Sequence, residues 1–382
     1  MTETMKPRLL ICYDHFYPAY KAGGPIQSLT NLVLRLQNDY IISVISSGYD
    51  LNESDMLQGI ETDRWSSVVL PQSTGAINVW YAGKGKPGIN EMKQLLKESK
   101  PSFIYLNGMF SYRFVIVPLL ANKNIRTIIC PRGMLQQGAL AGKSFKKKIY
   151  LAVLKMSGLC KNVSWHATNE EEAEDIRKVF GKTVYITIAE NIPKKPLDMI
   201  SISDKTEGEL RLVYLSLIAE KKNLLQLVQL IAGLKENILL DIYGPVKDAA
   251  YWRKCQEVLN SAAGRINYKG DILPSKVQST FSNYNASILL TKGENFGHAL
   301  YESLSTGRPV VTSYFTPWKE LEKKYAGWNV DISDEQEITG TLKKICSMNQ
   351  VSFDAYCKGA HQLAKEYFLN NVDTGLYKKI FS

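Results

Sequence analysis

Short apolar runs that alternate with helical patterns constrain the fold of this 382-residue chain more than any other feature. In the first half the runs lie at 8–13, 41–45, 77–81, 103–106, 127–130, 163–167 and 184–189. The second half repeats the alternation, with runs at 212–215, 238–243, 266–268, 287–290 and 310–312. Such alternation is typical of parallel sheets covered by helices, which bind ligands at the carboxyl ends of their strands. The sequence therefore predicts an α/β protein with two sheets.

A stretch rich in proline and lysine, residues 191–196, separates the two halves. The segment that follows at 201–209 is polar, as expected of a linker. We therefore predict an N-terminal domain of residues 1–195 and a C-terminal domain of residues 196–365. Residues 366–382 are predicted to form a C-terminal helix that returns to the first domain.

The composition is that of a soluble globular protein, with 45% hydrophobic and 22% charged residues. No run of eighteen apolar residues occurs, and residues 1–6 lack the apolar core of a signal peptide. The six cysteines form no C-x-x-C pair, which favours reduced, packed thiols over disulfides or zinc. We expect a cytoplasmic protein.

A formal net charge of +10 requires an anionic partner or surface. Nucleic acid is not expected, because the chain has neither a reader motif nor a basic tail. An anionic diphosphate substrate or an anionic lipid surface fits better. One segment, Lys143–Lys155, combines three consecutive lysines with an apolar run, which is the pattern of a helix lying on a membrane. An ordinary domain helix with a solvated basic end is equally compatible with this pattern.

The segment 285–313 carries the most specific chemistry. It predicts a buried strand at 287–290, a loop at 291–297, a helix at 298–306 and a second strand at 309–312. A strand–loop–helix turn leaves backbone N–H groups unpaired at a helix N-terminus, which suits a phosphate group. Glu294 in the loop and Glu302 in the helix frame this turn, so both can face one ligand.

The two glutamates, the intervening Asn295-Phe296-Gly297 and the later G-R-P-V-V at 307–311 resemble the E-x7-E signature of family 4 retaining glycosyltransferases. The resemblance implies the GT-B plan, two Rossmann-like domains whose parallel sheets face each other across a cleft. It implies that Glu294 lies against the donor sugar and that Glu302 hydrogen-bonds the nucleotide ribose. The loop amides of residues 295–297 would hold sugar and phosphate, and His298 would touch one of them.

Two further segments resemble donor-binding motifs of this family. A strand-to-helix loop contains Gly23 and Gly24, at the place where the family closes a glycine loop over the donor diphosphate. Lys222 matches a phosphate-binding lysine, but Leu217 stands where the family has an arginine. We expect Lys292, two residues before Glu294, to supply the missing positive charge.

Two loops at predicted strand ends in the first half are candidates for binding the acceptor. Asn107 follows one strand, and the segment 130–135 (C-P-R-G-M-L) follows the next. This segment resembles one found in polysaccharide-assembling members of the family. An arginine at the end of a strand binds phosphate or sugar hydroxyls through its planar guanidinium. Arg132 and Gly133 are therefore predicted to contact the acceptor, with Arg132 also taking part in catalysis.

Taken together, the resemblance implies a retaining glycosyltransferase that needs no cofactor. No D-x-D motif is present, so we expect no metal. The donor would be a UDP- or GDP-sugar, and the acceptor a glycan or a polyprenyl-diphosphate-linked glycan of a bacterial surface polysaccharide. Catalysis would rest on Glu294, Lys222 and Arg132. Two alternatives remain: a non-catalytic, membrane-peripheral partner of a polysaccharide assembly complex, which Leu217 favours, and a sugar-nucleotide epimerase.

Overall fold

The computed structural model describes residues 6–136, 144–198, 204–262, 264–371 and 375–382. The chain divides into two compact units. Unit 1 consists of Met1–Ile192 and Asp373–Ser382, and unit 2 of Pro193–Val372. The boundary between them thus follows Ile192, three residues before the predicted one.

Unit 1 is built on an eight-stranded sheet. Its strands and helices follow in the order β1 (Arg8–Cys12), α1 (Gly24–Leu36), β2 (Ile41–Ser47), β3 (Trp65–Val69), β4 (Ala76–Ala82), α2 (Ile89–Ser99), β5 (Phe103–Asn107), α3 (Val117–Ala121), β6 (Arg126–Cys130), α4 (Ser144–Met156), β7 (Val163–Ala167), α5 (Glu170–Phe180) and β8 (Ile186–Ile188).

The strand order in this sheet is β3-β4-β2-β1-β5-β6-β7-β8. Every pairing is parallel except that of β3 with β4, which is antiparallel. The central strands are buried on both faces, as in β1, where four of the five side chains are buried. Neighbouring strands β1, β5 and β6 therefore bring their carboxyl ends to one edge of the sheet, which is where Asn107 and Arg132 lie.

The C-terminal residues complete the core of unit 1. The predicted C-terminal helix at 366–382 falls on two helices: its first residues end the helix Gln350–Asn371, and helix α12 (Gly375–Ile380) follows residues 372–374, which lie outside the described residues. Tyr377, Ile380 and Phe381 are buried in the same apolar cluster as the central strands. The ring of Phe381 packs edge-on against Tyr105 of β5, with 5.5 Å between the ring centroids.

Unit 2 has a six-stranded, wholly parallel sheet in the order β11-β10-β9-β12-β13-β14. Its elements are β9 (Glu209–Leu215), α6 (Leu224–Gly233), β10 (Asn237–Tyr243), α7 (Ala249–Ser261), β11 (Ile266–Gly270), α8 (Val277–Phe281), β12 (Ala286–Leu289), α9 (His298–Ser305), β13 (Val310–Ser313), β14 (Gly327–Val330), α10 (Glu335–Cys346) and α11 (Gln350–Asn371).

The loops after β9 and β10 approach each other so closely that only glycine fits between them. Gly244 has φ 133°, and a Cβ atom there would lie 1.9 Å from the carbonyl oxygen of Ser216. Ile218 N–H donates to the oxygen of Pro245 at 3.0 Å. This contact fixes the start of the segment that carries Lys222.

The structure differs from the sequence prediction in two strands and one helix cap. Strands β3 and β14 are not predicted, because β3 is an exposed edge strand and β14 has only four residues. The spacing of Thr168 and Glu171 in the sequence is that of a capping box and predicts that Thr168 caps α5, but this prediction is wrong. The cap is Asn169, whose side chain accepts from the N–H of Glu172 at 2.8 Å.

Within the described ranges, every helix is too short or too polar to span a lipid bilayer.

Candidate active site

The loop after β12 is tied to the loops that follow its two neighbouring strands. Lys292 N–H donates to the oxygen of Lys221 at 2.8 Å, on the β9 side. Glu294 N–H donates to the oxygen of Phe315 at 2.9 Å, on the β13 side. These backbone bonds hold the side chain of Glu294 at the carboxyl edge of the sheet, where parallel sheets bind their ligands.

Lys222 and Glu294, both predicted from sequence to be catalytic, form an ion pair between Nζ and Oε1. Their side chains are only 19% and 13% exposed, so water screens the pair weakly. A short 3₁₀ turn, Glu220–Lys222, aims the lysine, and Asn223 ends the turn in the left-handed region with φ 56°. An ammonium group has three donors, so Lys222 can bind Glu294 and a phosphate oxygen together.

Glu302 lies in the middle of α9 and is partly buried. Burial raises the pKa of this carboxyl to about 7, and the nearby positive charge of Lys194 opposes the rise. Among the described residues no group donates a hydrogen bond to its side chain. The carboxyl therefore exchanges its proton near neutral pH and is available to a hydroxyl group of a ligand.

Helix α9 begins without a side-chain cap. Gly297 occupies the cap position with φ 79° and ψ 62°, and a Cβ atom there would lie 3.1 Å from Leu300 Cδ1. By contrast, the first amides of α7 are capped by Asp248 and those of α10 by Asp334. The first turn of α9 thus presents N–H groups that receive no side-chain cap from the residue at the cap position, together with the positive end of the helix dipole.

The side chain of Phe296 supports this loop from the inside. It is 5% exposed and lies among the rings of Tyr301, Trp318 and Tyr367. Trp318 Nε1 donates to the oxygen of Phe296 at 2.7 Å. A donor-binding role for Phe296 is therefore restricted to its backbone. His298 packs edge-on against the same ring, with 4.6 Å between the centroids.

Lys292 is more exposed than Lys222. Its side chain is 47% exposed, and its Nζ lies 3.7 Å from Oε1 of the exposed Glu220. Leu217, which stands in the expected arginine position, is partly buried. Because Lys292 and Lys222 lie on two loops joined by a backbone hydrogen bond, both cations are at the same sheet edge.

In unit 1, Arg132 is the centre of a second polar cluster. It adopts the left-handed conformation, with φ 56°. Its Nε and Nη2 donate to Asn107 Oδ1 at 3.1 and 3.0 Å, and Nη1 donates to Asn191 Oδ1 at 2.5 Å. Nη2 also donates to the hydroxyl of Tyr105 at 3.1 Å. Arg132 thus fixes three strand ends to one another, and its guanidinium is largely used within the protein.

Two neighbouring side chains complete this cluster. Glu172 accepts from Gly133 N–H at 2.6 Å and from the hydroxyl of Thr168 at 2.7 Å. His166 is buried against Tyr105, and burial together with the charge of Arg132 lowers its pKa to about 3. Gly133, predicted to bind the acceptor, has its amide occupied by Glu172.

Asn107 keeps one unsatisfied donor. Its side chain is buried, its Oδ1 is bound to Arg132, and its Nδ2 has no partner among the described residues. An unpaired buried donor costs about 1–3 kcal/mol, so a ligand oxygen here would be stabilised. Of the three predicted acceptor residues, Asn107 is the one with a group left to offer.

Asp14, which follows β1, was missed by the sequence reasoning. Its Oδ1 accepts from the hydroxyl of Ser111 at 2.7 Å, and burial raises the pKa of its carboxyl. A carboxylate directly after a buried parallel strand is a signal that would have found it.

The glycine loop of unit 1 forms the start of α1. Gly23 caps the helix with φ 73° and ψ −135°, and Gly24 is its first residue. A Cβ atom at Gly23 would contact nothing within 4 Å, so glycine is favoured there by conformation and not by space.

In the described part of the chain, no three His, Cys, Asp or Glu side chains are grouped as metal ligands.

Comparison with known proteins defines the class of this protein. Residues 198–362 match the family model described as Glycosyl transferases group 1. No curated protein matches the chain significantly in sequence. Sucrose-phosphate synthase (tll1590) from Thermosynechococcus elongatus is similar in structure, with a TM-score of 0.75 at 15% identity, over 98% of this chain and 99% of that one.

Two other solved structures are similar over nearly their full lengths. Anabaena Alr3699/HepE, in complex with UDP-glucose, has a TM-score of 0.71 at 12% identity and covers 98% of this chain and 99% of its own. WaaG, a glycosyltransferase involved in lipopolysaccharide biosynthesis, has a TM-score of 0.65 at 12% identity and covers 96% and 98%. These likenesses show the GT-B fold, which confirms the predicted fold class.

The fold and the family match together indicate a glycosyltransferase. Residues 198–362, which are almost all of unit 2, match the glycosyl transferases group 1 model, and the whole chain has the GT-B fold. The Lys222–Glu294 pair, the uncapped start of α9 and Glu302 all lie inside the matched residues.

Proposed function

We propose that the protein is a retaining, metal-independent glycosyltransferase. It moves a sugar from a UDP- or GDP-sugar to a glycan or lipid-linked acceptor in the biosynthesis of a surface polysaccharide such as O-antigen, capsule or exopolysaccharide. The observation that carries the proposal is the partly buried Lys222–Glu294 ion pair beside the uncapped N-terminus of α9. It places a cation, a carboxylate and backbone donors at one sheet edge.

The donor is bound by unit 2 in this proposal. The diphosphate accepts hydrogen bonds from Lys222 and from the first backbone amides of α9, which together compensate its negative charge. Glu302 accepts from the ribose hydroxyls, since its carboxyl has no donor within the described chain. Lys292, Asn295, Gly297 and His298 line the same loop and contact the diphosphate or the sugar. The complexes of HepE with UDP and with UDP-glucose support a UDP-type donor.

The chemistry requires stabilisation of two developing charges. The bond between C1 and the leaving diphosphate oxygen breaks, and the sugar ring gains oxocarbenium character. Lys222 stabilises the leaving oxygen, and Glu294 stabilises the positive ring from the other end of the same ion pair.

Retention follows from attack on the face that the diphosphate leaves. The acceptor hydroxyl forms its bond to C1, and its proton passes to the departing diphosphate oxygen. Covalent catalysis needs a carboxylate on the opposite face of the sugar. Glu294 is bound to Lys222, and Glu302 is assigned to the ribose, so front-face displacement is preferred.

The acceptor is bound by unit 1 in this proposal. Asn107 Nδ2 and the carboxylate of Asp14 lie at neighbouring strand ends and suit sugar hydroxyls, which both donate and accept hydrogen bonds. Arg132 holds Asn107 in place, and so it acts on the acceptor through a neighbour. The similarity to WaaG, a glycosyltransferase involved in lipopolysaccharide biosynthesis, supports a glycan or lipid-linked acceptor.

The test measures release of free nucleoside diphosphate. UDP-glucose, UDP-galactose, UDP-N-acetylglucosamine and GDP-mannose are first ranked by thermal shift, since a ligand at 100 times its Kd adds about 2.7 kcal/mol. The donor that binds is then incubated with and without lipid-linked acceptor in excess EDTA. Release that requires acceptor, persists in EDTA and yields a product with the anomeric configuration of the donor supports the proposal.

The same assay separates the alternatives. Leu217 in place of arginine favours a non-catalytic partner, which would bind donor and release nothing. An epimerase would convert the donor without acceptor. Loss of activity in EDTA that manganese or magnesium restores would contradict the metal-independent mechanism.

A further inference from the structure

Helix α4, which forms most of the basic and apolar segment Lys143–Lys155, exposes an apolar stripe. Four side chains on it are largely exposed: Phe145 by 74%, Ile149 by 47%, Val153 by 60% and Met156 by 86%. At about 100° per residue, these four positions fall within an arc of about 80° on one side of the helix. Exposed large apolar residues arranged in one contiguous stripe mark an interaction surface.

The opposite side of α4 is packed on unit 1. Leu151 and Leu154 are buried in the apolar cluster beneath the sheet. Tyr150 donates from its hydroxyl to the oxygen of Met109 at 2.8 Å, and Lys147 Nζ lies 5.3 Å from the centroid of the Phe110 ring. The helix is therefore fixed by one face, and the apolar stripe on its other face is not part of the core.

The charged side chains that border the apolar stripe on α4 are all positive. Lys146 borders it on one side, and Lys148 and Lys155 border it on the other. All three lysines are exposed, and none forms an ion pair with a described residue. Helix α4 contains no acidic residue. An apolar stripe between two rows of lysine complements a surface that is apolar inside and anionic outside.

We propose that helix α4 is the membrane-docking element of this protein, lying in the interface of an anionic bilayer. The apolar stripe, residues 145, 149, 153 and 156, inserts below the headgroups, and Lys146, Lys148 and Lys155 bind anionic lipid. A helix parallel to the membrane is held in this way by burial of one apolar face together with lysines at the headgroup level.

The position of α4 links this surface to the acceptor side of unit 1. Tyr150 and Lys147 contact the loop that directly follows Asn107, the end of β5. Docking through α4 therefore places the residues proposed to bind the acceptor within a short distance of the headgroups. This inference deepens the proposed function and rests on it only for the acceptor, since the docking itself follows from the helix.

The experiment is co-sedimentation of the full chain with vesicles, at physiological ionic strength and without nucleotide. Vesicles of phosphatidylcholine with phosphatidylglycerol at increasing mole fraction are compared with phosphatidylcholine alone. The parent is expected to bind more tightly as the anionic fraction rises. The variant Lys146→Ser/Lys148→Ser/Lys155→Ser should bind anionic vesicles about a hundredfold more weakly, because each lysine contributes about fivefold.

A second variant tests the apolar stripe. Phe145→Ser/Ile149→Ser should reduce binding at least about tenfold at every anionic fraction, because it removes inserted apolar surface. The matched controls are Val351→Ser/Leu369→Ser, which removes exposed apolar side chains of α11, and Lys93→Ser/Lys97→Ser/Lys100→Ser, which removes exposed lysines of unit 1. Both controls should bind vesicles as the parent does.

Three outcomes would overturn the inference: no binding of the parent to anionic vesicles, unchanged binding of the stripe variant, or an equal loss in the controls. A concentration-dependent dimer that the stripe variant abolishes, without vesicle binding, would assign the stripe to a second copy of the chain. Thermal shift with UDP on each variant separates the two proposals. A variant that loses vesicle binding but still binds UDP shows that α4 acts in docking and not in donor binding. If the parent does not bind UDP, the proposed function fails, whatever the vesicle result.

Discussion

Replacing Glu302 by glutamine tests the proposed nucleotide-sugar site, because it removes a carboxyl group that can gain or lose a proton. Glutamine has the shape of a protonated glutamate, so it keeps the packing of α9 and removes only the ionisation. Burial raises the pKa of Glu302 from its usual 4.5 to about 7. Because a tenfold change in an ionisation constant is worth about 1.4 kcal/mol, this rise costs the folded protein about 3 kcal/mol once the carboxyl is ionised.

The sign of the effect on stability follows from the direction of the shift. Between pH 4.5 and about 7 the unfolded chain has released this proton while the folded chain still holds it. The folded state then binds more protons, so the contribution of Glu302 to stability falls as the pH rises through this window. Above pH 7 the full cost is present, and below pH 4.5 it vanishes.

We therefore expect Glu302→Gln to be more stable than the parent at pH 8, by up to about 3 kcal/mol, and nearly equal to it at pH 5. For a unit of this size that is a gain of roughly 6–12 °C in Tm. Thermal unfolding of parent and variant at pH 5, 6, 7 and 8 measures the difference. Glu257→Gln, an exposed glutamate of unit 2, is the control and should show no pH-dependent difference.

The affinity for UDP should be higher in the parent than in Glu302→Gln, although the parent is the less stable of the two at pH 8. A ribose hydroxyl donates more strongly to an ionised carboxylate than to a neutral amide, by about 1 kcal/mol, or roughly fivefold in Kd. UDP should thus bind the parent more tightly than Glu302→Gln at pH 8, and the advantage should shrink as the pH falls below 7. Calorimetry at each pH measures the UDP affinity of both proteins. The titration of UDP itself affects both equally, so it cancels in the comparison. Equal pH dependence of Tm and of UDP affinity in parent and variant would refute the assignment of Glu302.

Five further substitutions test the remaining roles. Glu294→Ala should leave UDP affinity nearly unchanged while lowering kcat by orders of magnitude, as an interaction made in the transition state would; a matching loss of UDP affinity would contradict this. Lys222→Ala and Lys292→Ala should each weaken UDP-sugar binding about tenfold or more, because each removes a charge-assisted hydrogen bond worth roughly 1.5–3 kcal/mol, and Lys221→Ala should change it little; unchanged binding in Lys292→Ala would show that it does not replace the missing arginine. Arg132→Ala should lower Tm and raise KM for the acceptor, since it leaves several polar groups without a donor, each at a cost of about 1–3 kcal/mol, while UDP affinity is retained; a stable variant with normal KM would show that the cluster does not position the acceptor.

Local patterns in the sequence were sufficient for much of the fold. The run at 103–106 matches β5 closely, because a strand buried on both faces is a continuous apolar segment bounded by polar residues. The helix at His298 begins where it was predicted, since Gly297 adopts a conformation that few other residues tolerate. Strand β3 has no such signal, because it is an exposed edge strand that depends on its partner β4.

Side-chain partners could be predicted less well than the elements that carry them. The sequence singled out Arg132 as a group that contacts the acceptor, but its guanidinium is bound to Asn107, Asn191 and Tyr105. Those partners come from other strands, and no spacing in the sequence connects them to Arg132. Glu172 of α5 likewise accepts from Gly133, a residue 39 positions away in the chain.

The α/β class and the strand–loop–helix at 286–305 with its two glutamates could be predicted from the sequence alone, because they depend on local periodicity and on residues close together in the chain. Tertiary packing brings Lys222 to Glu294, 72 residues away, and buries Glu302 so that its pKa rises to about 7. It also turns Leu151 and Leu154 of α4 inward and Ile149 outward, although all three belong to one apolar run in the sequence. Contacts between side chains, their burial and the side of a helix that faces the core all depend on which distant segments pack together. That packing is determined by the whole chain.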